Sequence, residues 1–139
     1  MDTDSFKLEN YYELLVTHKM MMEARFCTNP IDLEVPVSPV AAGLHDRIIQ
    51  KLIEIETEKK GETAKQAWEE WLQISPDYRE WDVSLDRAKN DPRWLNWNDM
   101  EQRFFTMTLL SPFEVSEELI AEFVGEVQIH QLKQKNEAA

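Results

Sequence analysis

The chain has 139 residues, with 27 aspartates and glutamates against 15 lysines and arginines, a formal charge of −12 at pH 7. A length of this order buries roughly two thirds of the surface its unfolded form exposes, so one domain with its own core is the expectation and no disulfide or metal staple is needed. A polyanion would be repelled by the field of so acidic a molecule, which disfavours direct nucleic-acid binding and makes a basic protein surface the natural complement.

The only cysteine is Cys27, so no intramolecular disulfide forms, as fits a reducing compartment. Residues 1–10 carry Asp2, Asp4 and Glu9 without the apolar run of a secretory signal, and no stretch approaches the length of a membrane span. A cytoplasmic location is the expectation.

With three glycines and few alternating apolar runs, the chain lacks the turn chemistry of a hairpin-rich protein, and helical spacing dominates. A first helix is predicted from about Ser5 to Phe26, using Leu8, Tyr11, Tyr12, Leu15, Met22 and Phe26, with Leu14 and Met21 widening its apolar face. Residues 30–37 contain Pro30 and Pro36 and alternate apolar with acidic side chains, which predicts one short extended segment. Ser38-Pro39 is a helix-start signal, and the helix it opens should run to Lys60 on Ala41, Leu44, Ile48, Leu52 and Ile55, ending at Gly61.

Thr63 is expected to cap a third helix reaching Ile74. Residues 77–92 are harder to read, with a short helix from Ser84 to Lys89 and a turn at Asn90-Asp91-Pro92. Another helix should end at Leu110 with Trp97, Met100, Phe104 and Met107 inward, and the last should begin at Ser111-Pro112-Phe113-Glu114, which has the spacing of a capping box, and reach about Lys133. The expected fold is all-α, a single domain of about five helices over 1–133, with 134–139 a frayed tail. The Ser-Pro pairs at 38, 75 and 111 are near-evenly spaced, but the apolar positions that follow them do not align, so no helical repeat is inferred.

Phosphate-cradling glycine loops, C-x-x-C pairs and H-E-x-x-H motifs are absent from the sequence. His18, His45 and His130 each fall on an apolar helix face, where an imidazole needs a hydrogen-bonding partner; separate core histidines and a shared metal or proton relay are the two readings. Cys27 follows a helix C-terminus, the wrong end to activate a thiolate. Neither a catalytic residue nor a cofactor is predicted, and the chain is read as non-enzymatic.

Two features point instead to recognition. Trp68, Trp71, Trp81, Trp94 and Trp97 fall within thirty residues among acidic neighbours, and Trp68, Glu69, Glu70 and Trp71 form one candidate patch, either core or interface. Glu114, Glu118, Glu122 and Glu126 recur at intervals of four, a like-charged stripe that costs a helix roughly 0.2–0.5 kcal/mol per pair. The helix N-terminus favours two of these acids, but Glu122 and Glu126 lie too deep for it. A solvated, solubilising face is the plain alternative. Together the features predict a small acidic inhibitor, of the immunity or antidefence kind, that occupies a basic surface of the type that handles nucleic acid, such as a nuclease's. The competing prediction is an assembly subunit or adaptor that dimerises through the first helix.

Overall fold

The computed structural model describes residues 6–138, and its α-helices are α1 (Tyr11–Phe26), α2 (Pro39–Lys60), α3 (Glu62–Leu72), α4 (Arg79–Lys89), α5 (Asp99–Leu110) and α6 (Glu117–Ala138). The all-α class is as expected. Single 3-10 turns occupy Val35–Val37 and Trp94–Asn96. Among the described residues no helix is long and apolar enough to cross a membrane.

Side-chain caps decide most helix starts. The Asn10 amide oxygen accepts from the Tyr12 and Glu13 amides at 2.8 and 3.3 Å, which starts α1 at Tyr11, so residues 6–10, expected within the helix, are not helical; Ser5 itself lies outside the described residues. Ser38 caps α2 through the Ala41 amide at 3.1 Å, as its Ser-Pro signal predicts. Asn98 and Glu101 form a reciprocal capping box at α5.

Five further expectations need correction. Residues 30–37 are bends and turns, not a strand: the Asp32 carboxylate accepts from the Glu34 amide at 2.9 Å, a local turn that competes with extension. Gly61 adopts φ 80°, ψ −166°, a backbone state open essentially to glycine alone, so α3 begins at once with Glu62 and Thr63 lies inside it instead of capping it. Residues 79–83 join the short helix predicted from Ser84, because Trp81 and Val83 have core to enter; counting this segment as a full helix, the described residues form six where about five were expected. Ser111-Pro112 does not open the last helix. The chain turns at residues 111–113, where the Phe113 amide donates to the Leu110 carbonyl at 2.9 Å, and the Ser116 side chain, accepting from the Leu119 amide at 3.2 Å, takes the cap. At its other end α6 continues through residues 134–138, of which all but Asn136 are good helix formers, where a frayed tail was expected.

Helices α1, α2 and α3 pack with α2 between the other two, while α4, α5 and α6 pack on one another. Each group has its own apolar cluster: Leu14, Ile48 and Leu52 in the first, and a larger one around Phe26, Trp81, Trp94, Phe105, Leu109, Phe123 and Val127 in the second. Buried glutamines tie the loops down. The Gln131 amide donates to the carbonyls of Ala88, Lys89 and Asp91 at 3.1, 2.9 and 2.9 Å, closing the end of α4, and Gln102 donates to the Trp94 and Trp97 carbonyls. Such paired polar groups avoid the cost of leaving buried carbonyls without donors.

Candidate functional site

The buried polar centre of the molecule lies where the two clusters meet. His18 and Arg25 share one stripe of α1 with Leu14, and both turn inward against His45 of α2. His18 Nδ1 is 3.0 Å from His45 Nε2, and Arg25 Nη1 is 3.0 Å from His45 Nδ1. A guanidinium only donates, so His45 Nδ1 accepts; the His45 proton therefore sits on Nε2 and is donated to His18 Nδ1. This directed chain ends at His18, whose ring meets Trp68 and Trp71 edge-on with centroids 5.7 and 5.6 Å away.

Arg25 is 1% exposed and forms no ion pair with a carboxylate among the described residues. Its charge is met by a helix end. Nη2 donates to the Thr108 carbonyl at 2.8 Å and Nη1 to that of Ser111, so the cation seats on the negative C-terminus of α5. Arg87 does the same for α1, donating to the Arg25 and Cys27 carbonyls at 2.8 and 2.6 Å. Burial, with Arg87 nearby, lowers Arg25 to about 10, which leaves it charged at neutral pH. Burial, then the Arg25 and His18 charges, push His45 down to about 3, and burial also lowers His18. Both imidazoles stay neutral.

These residues are bonded directly to each other, not satisfied separately. His130 lies half-buried on α6 and takes no part, and among the described residues no three histidine, cysteine, aspartate or glutamate side chains converge as metal ligands do. Arg25 has no place in the sequence-based candidates, although its seven-residue spacing from His18 put it on the same face.

The recognition candidates divide. Trp68 and Trp71 are half-buried and packed edge-on against each other and His18, and the Trp68 indole N–H donates to Glu56, which also accepts from the Tyr11 hydroxyl at 2.8 Å. They brace α3 against α1 and α2. Trp81 and Trp94 are fully buried. Glu69 and Glu70, by contrast, are exposed on α3, as are Glu118, Glu122 and Glu126 on α6.

Glu114 stands off the helix, which leaves three members of the four-spaced row on α6. It forms an isolated parallel bridge with Gln73, and the Gln73 amide donates to its carboxylate at 2.6 Å. Gln73 also lines a surface hollow with Gln66, Glu69 and Glu70. The bridge thus joins the α3 acids to the start of α6, two groups separated by more than forty residues in sequence. Glu69 lies 3.9 Å from Lys65 and Glu126 lies 4.0 Å from Lys89, while Glu70, Glu114, Glu118 and Glu122 form no ion pair among the described residues. No known protein-family model matches the chain, and neither a curated protein nor a solved structure is significantly similar to it.

Proposed function

We propose that this chain is a non-catalytic binding protein that blocks a partner by covering its basic, nucleic-acid-handling surface, as an inhibitor, immunity or antidefence protein does. The observation that carries the reading is the Gln73–Glu114 bridge, which connects Glu69 and Glu70 through Glu114 to Glu118, Glu122 and Glu126. Glu70, Glu114, Glu118 and Glu122, which form no ion pair among the described residues, keep their field for a partner, and such fields raise association rates and specify the sign of what docks. The test is affinity capture at low salt with the wild-type chain and with Glu118→Lys/Glu122→Lys, followed by mass spectrometry. The reading expects basic proteins to be retained by the first, released by salt, and lost from the second.

A different surface feature favours the second reading, an assembly subunit that dimerises through α1. Tyr12, Val16 and Met20 follow one another at four-residue spacing and are all exposed. Light scattering separates the two: a monomer supports the inhibitor, and a tight dimer dispersed by Val16→Glu supports the assembly subunit.

A further inference from the structure

The face of α5 expected to point inward points out. Met100, Phe104 and Met107 are 80%, 61% and 48% exposed, while the core takes Phe105 and Leu109 from the opposite side. The reversal is possible because α5 is apolar on both sides and because the two buried threonines donate back into the helix, Thr106 to the Gln102 carbonyl and Thr108 to that of Phe104, both at 2.9 Å. The outward residues follow the four- and three-residue spacing by which one helix seats another.

They also line a depression. Met100 and Phe104, with Trp97, Val37 and Pro39, border a groove of about 490 Å³ between α5 and the start of α2. One turn further along, Met107 borders a second hollow of about 390 Å³, whose only charged lining residues are Asp46 and Glu114. Neither carboxylate forms an ion pair among the described residues. At the first groove Arg93 lies over the Trp97 ring and is held by both oxygens of Asp91 at 3.0 and 2.7 Å, and the Glu101 carboxylate accepts from the Asn98 amide in the α5 cap. An apolar helix face with a groove beside its first two anchors, and beside the third a hollow with two carboxylates that form no ion pair, is complementary to an amphipathic helix with apolar anchors and a lysine or arginine at one end.

We infer that the α5 groove is the apolar half of the partner-binding surface and takes an amphipathic helix of the partner, its anchors on Met100, Phe104 and Met107 and a basic side chain between Asp46 and Glu114. The inference rests on the binding role proposed above and supplies the desolvated centre that Trp68 and Trp71, already committed to the interior, do not. Flexible methionine side chains beside an aromatic ring suit this task, since they conform to apolar anchors of varied shape. Glu114 belongs to both surfaces and couples them: the acids of α3 and α6 attract the partner, and the groove retains it.

The probe is a fluorescein-labelled amphipathic peptide with leucines four and three residues apart and lysines on its flanks, read by anisotropy against the full chain. A second peptide has every lysine replaced by glutamate. The lysine peptide should bind and the glutamate peptide should not. Phe104→Ser and Met107→Ser, exposed and so neutral for folding, should each weaken binding about tenfold or more, as loss of a central anchor does. Asp46→Asn and Glu114→Gln should each weaken it a few-fold, the glutamine keeping an acceptor for Gln73. Binding that ignores Phe104 and Met107 but is lost in Glu118→Lys/Glu122→Lys overturns the groove and leaves the acidic face standing. A chain that self-associates, and that Phe104→Ser returns to a monomer, assigns the groove to a second copy and overturns the inference. A wild-type chain that binds neither peptide overturns it as well, while capture of basic proteins from a lysate separately decides the acidic-face reading.

Discussion

Acidification should unfold this protein through His45. The imidazole is completely buried, accepts from Arg25 at Nδ1 and donates to His18 at Nε2. A proton added to Nδ1 would face the guanidinium donor and place a second cation beside the first. Its folded pKa of about 3 lies well below the ordinary value near 6.5. A group depressed in this way binds protons in the unfolded chain before it does so in the folded one, so the stability it confers is whole above pH 6.5 and drains away as the pH falls toward 3. At roughly 1.4 kcal/mol per unit, pH 5 costs about 2 kcal/mol through His45 alone, and the full span costs on the order of 4–5 kcal/mol, a large share of a typical domain's 5–15 kcal/mol. His18, lowered too, acts in the same direction. The other titratable neighbours work differently. Arg25 and Arg87 stay charged throughout, and relief of the −12 net charge on acidification works against unfolding. Urea unfolding from pH 7.5 to 5, followed by circular dichroism, measures the sum. His45→Gln isolates the imidazole, because the amide can accept from Arg25 and donate to His18 without titrating. Its stability should fall about 2 kcal/mol less than that of the wild type between pH 7 and 5. Parallel curves for the two proteins would refute the reasoning.

Other substitutions test the remaining packing claims. Arg25→Ala strands the Thr108 and Ser111 carbonyls and His45 Nδ1, and should cost about 3–5 kcal/mol in urea unfolding, as broken buried charge networks do. Trp94→Ala empties a fully buried indole site and leaves Gln128 without its 2.9 Å donor, so a loss of about 3–5 kcal/mol is expected. Glu117→Gln, which breaks the solvent-exposed pair with Arg103, should leave Tm unchanged within error, because exposed ion pairs add little.

Much of the fold was legible because helix signals are local. Ser38-Pro39 and the long periodic runs of α1 and α2 needed no tertiary information to read. What sequence spacing did not supply was which face turns inward. On α2 the observed buried row Ala42, His45, Ile49 lies one residue beyond the expected Ala41, Leu44, Ile48 row, with Ile48 and Leu52 common to both. On α5 either face would serve as core, and only the hydrogen bonds of Thr106 and Thr108 settle the choice. A buried arginine was harder still. Arg25 is stabilised by carbonyls more than eighty residues away, and no local pattern encodes that contact. The Gln73–Glu114 bridge is equally non-local, so the α3 and α6 acids read as two separate patches until the chain is folded.

The central claim, that this acidic face docks a basic partner, is tested most directly by capture from a lysate on the immobilised chain at increasing salt, with the Glu118→Lys/Glu122→Lys protein as control. The account predicts a discrete basic protein that the wild type retains at low salt and releases as salt rises, and that the reversed protein never retains. Equal retention by both proteins, or retention indifferent to salt, would contradict it.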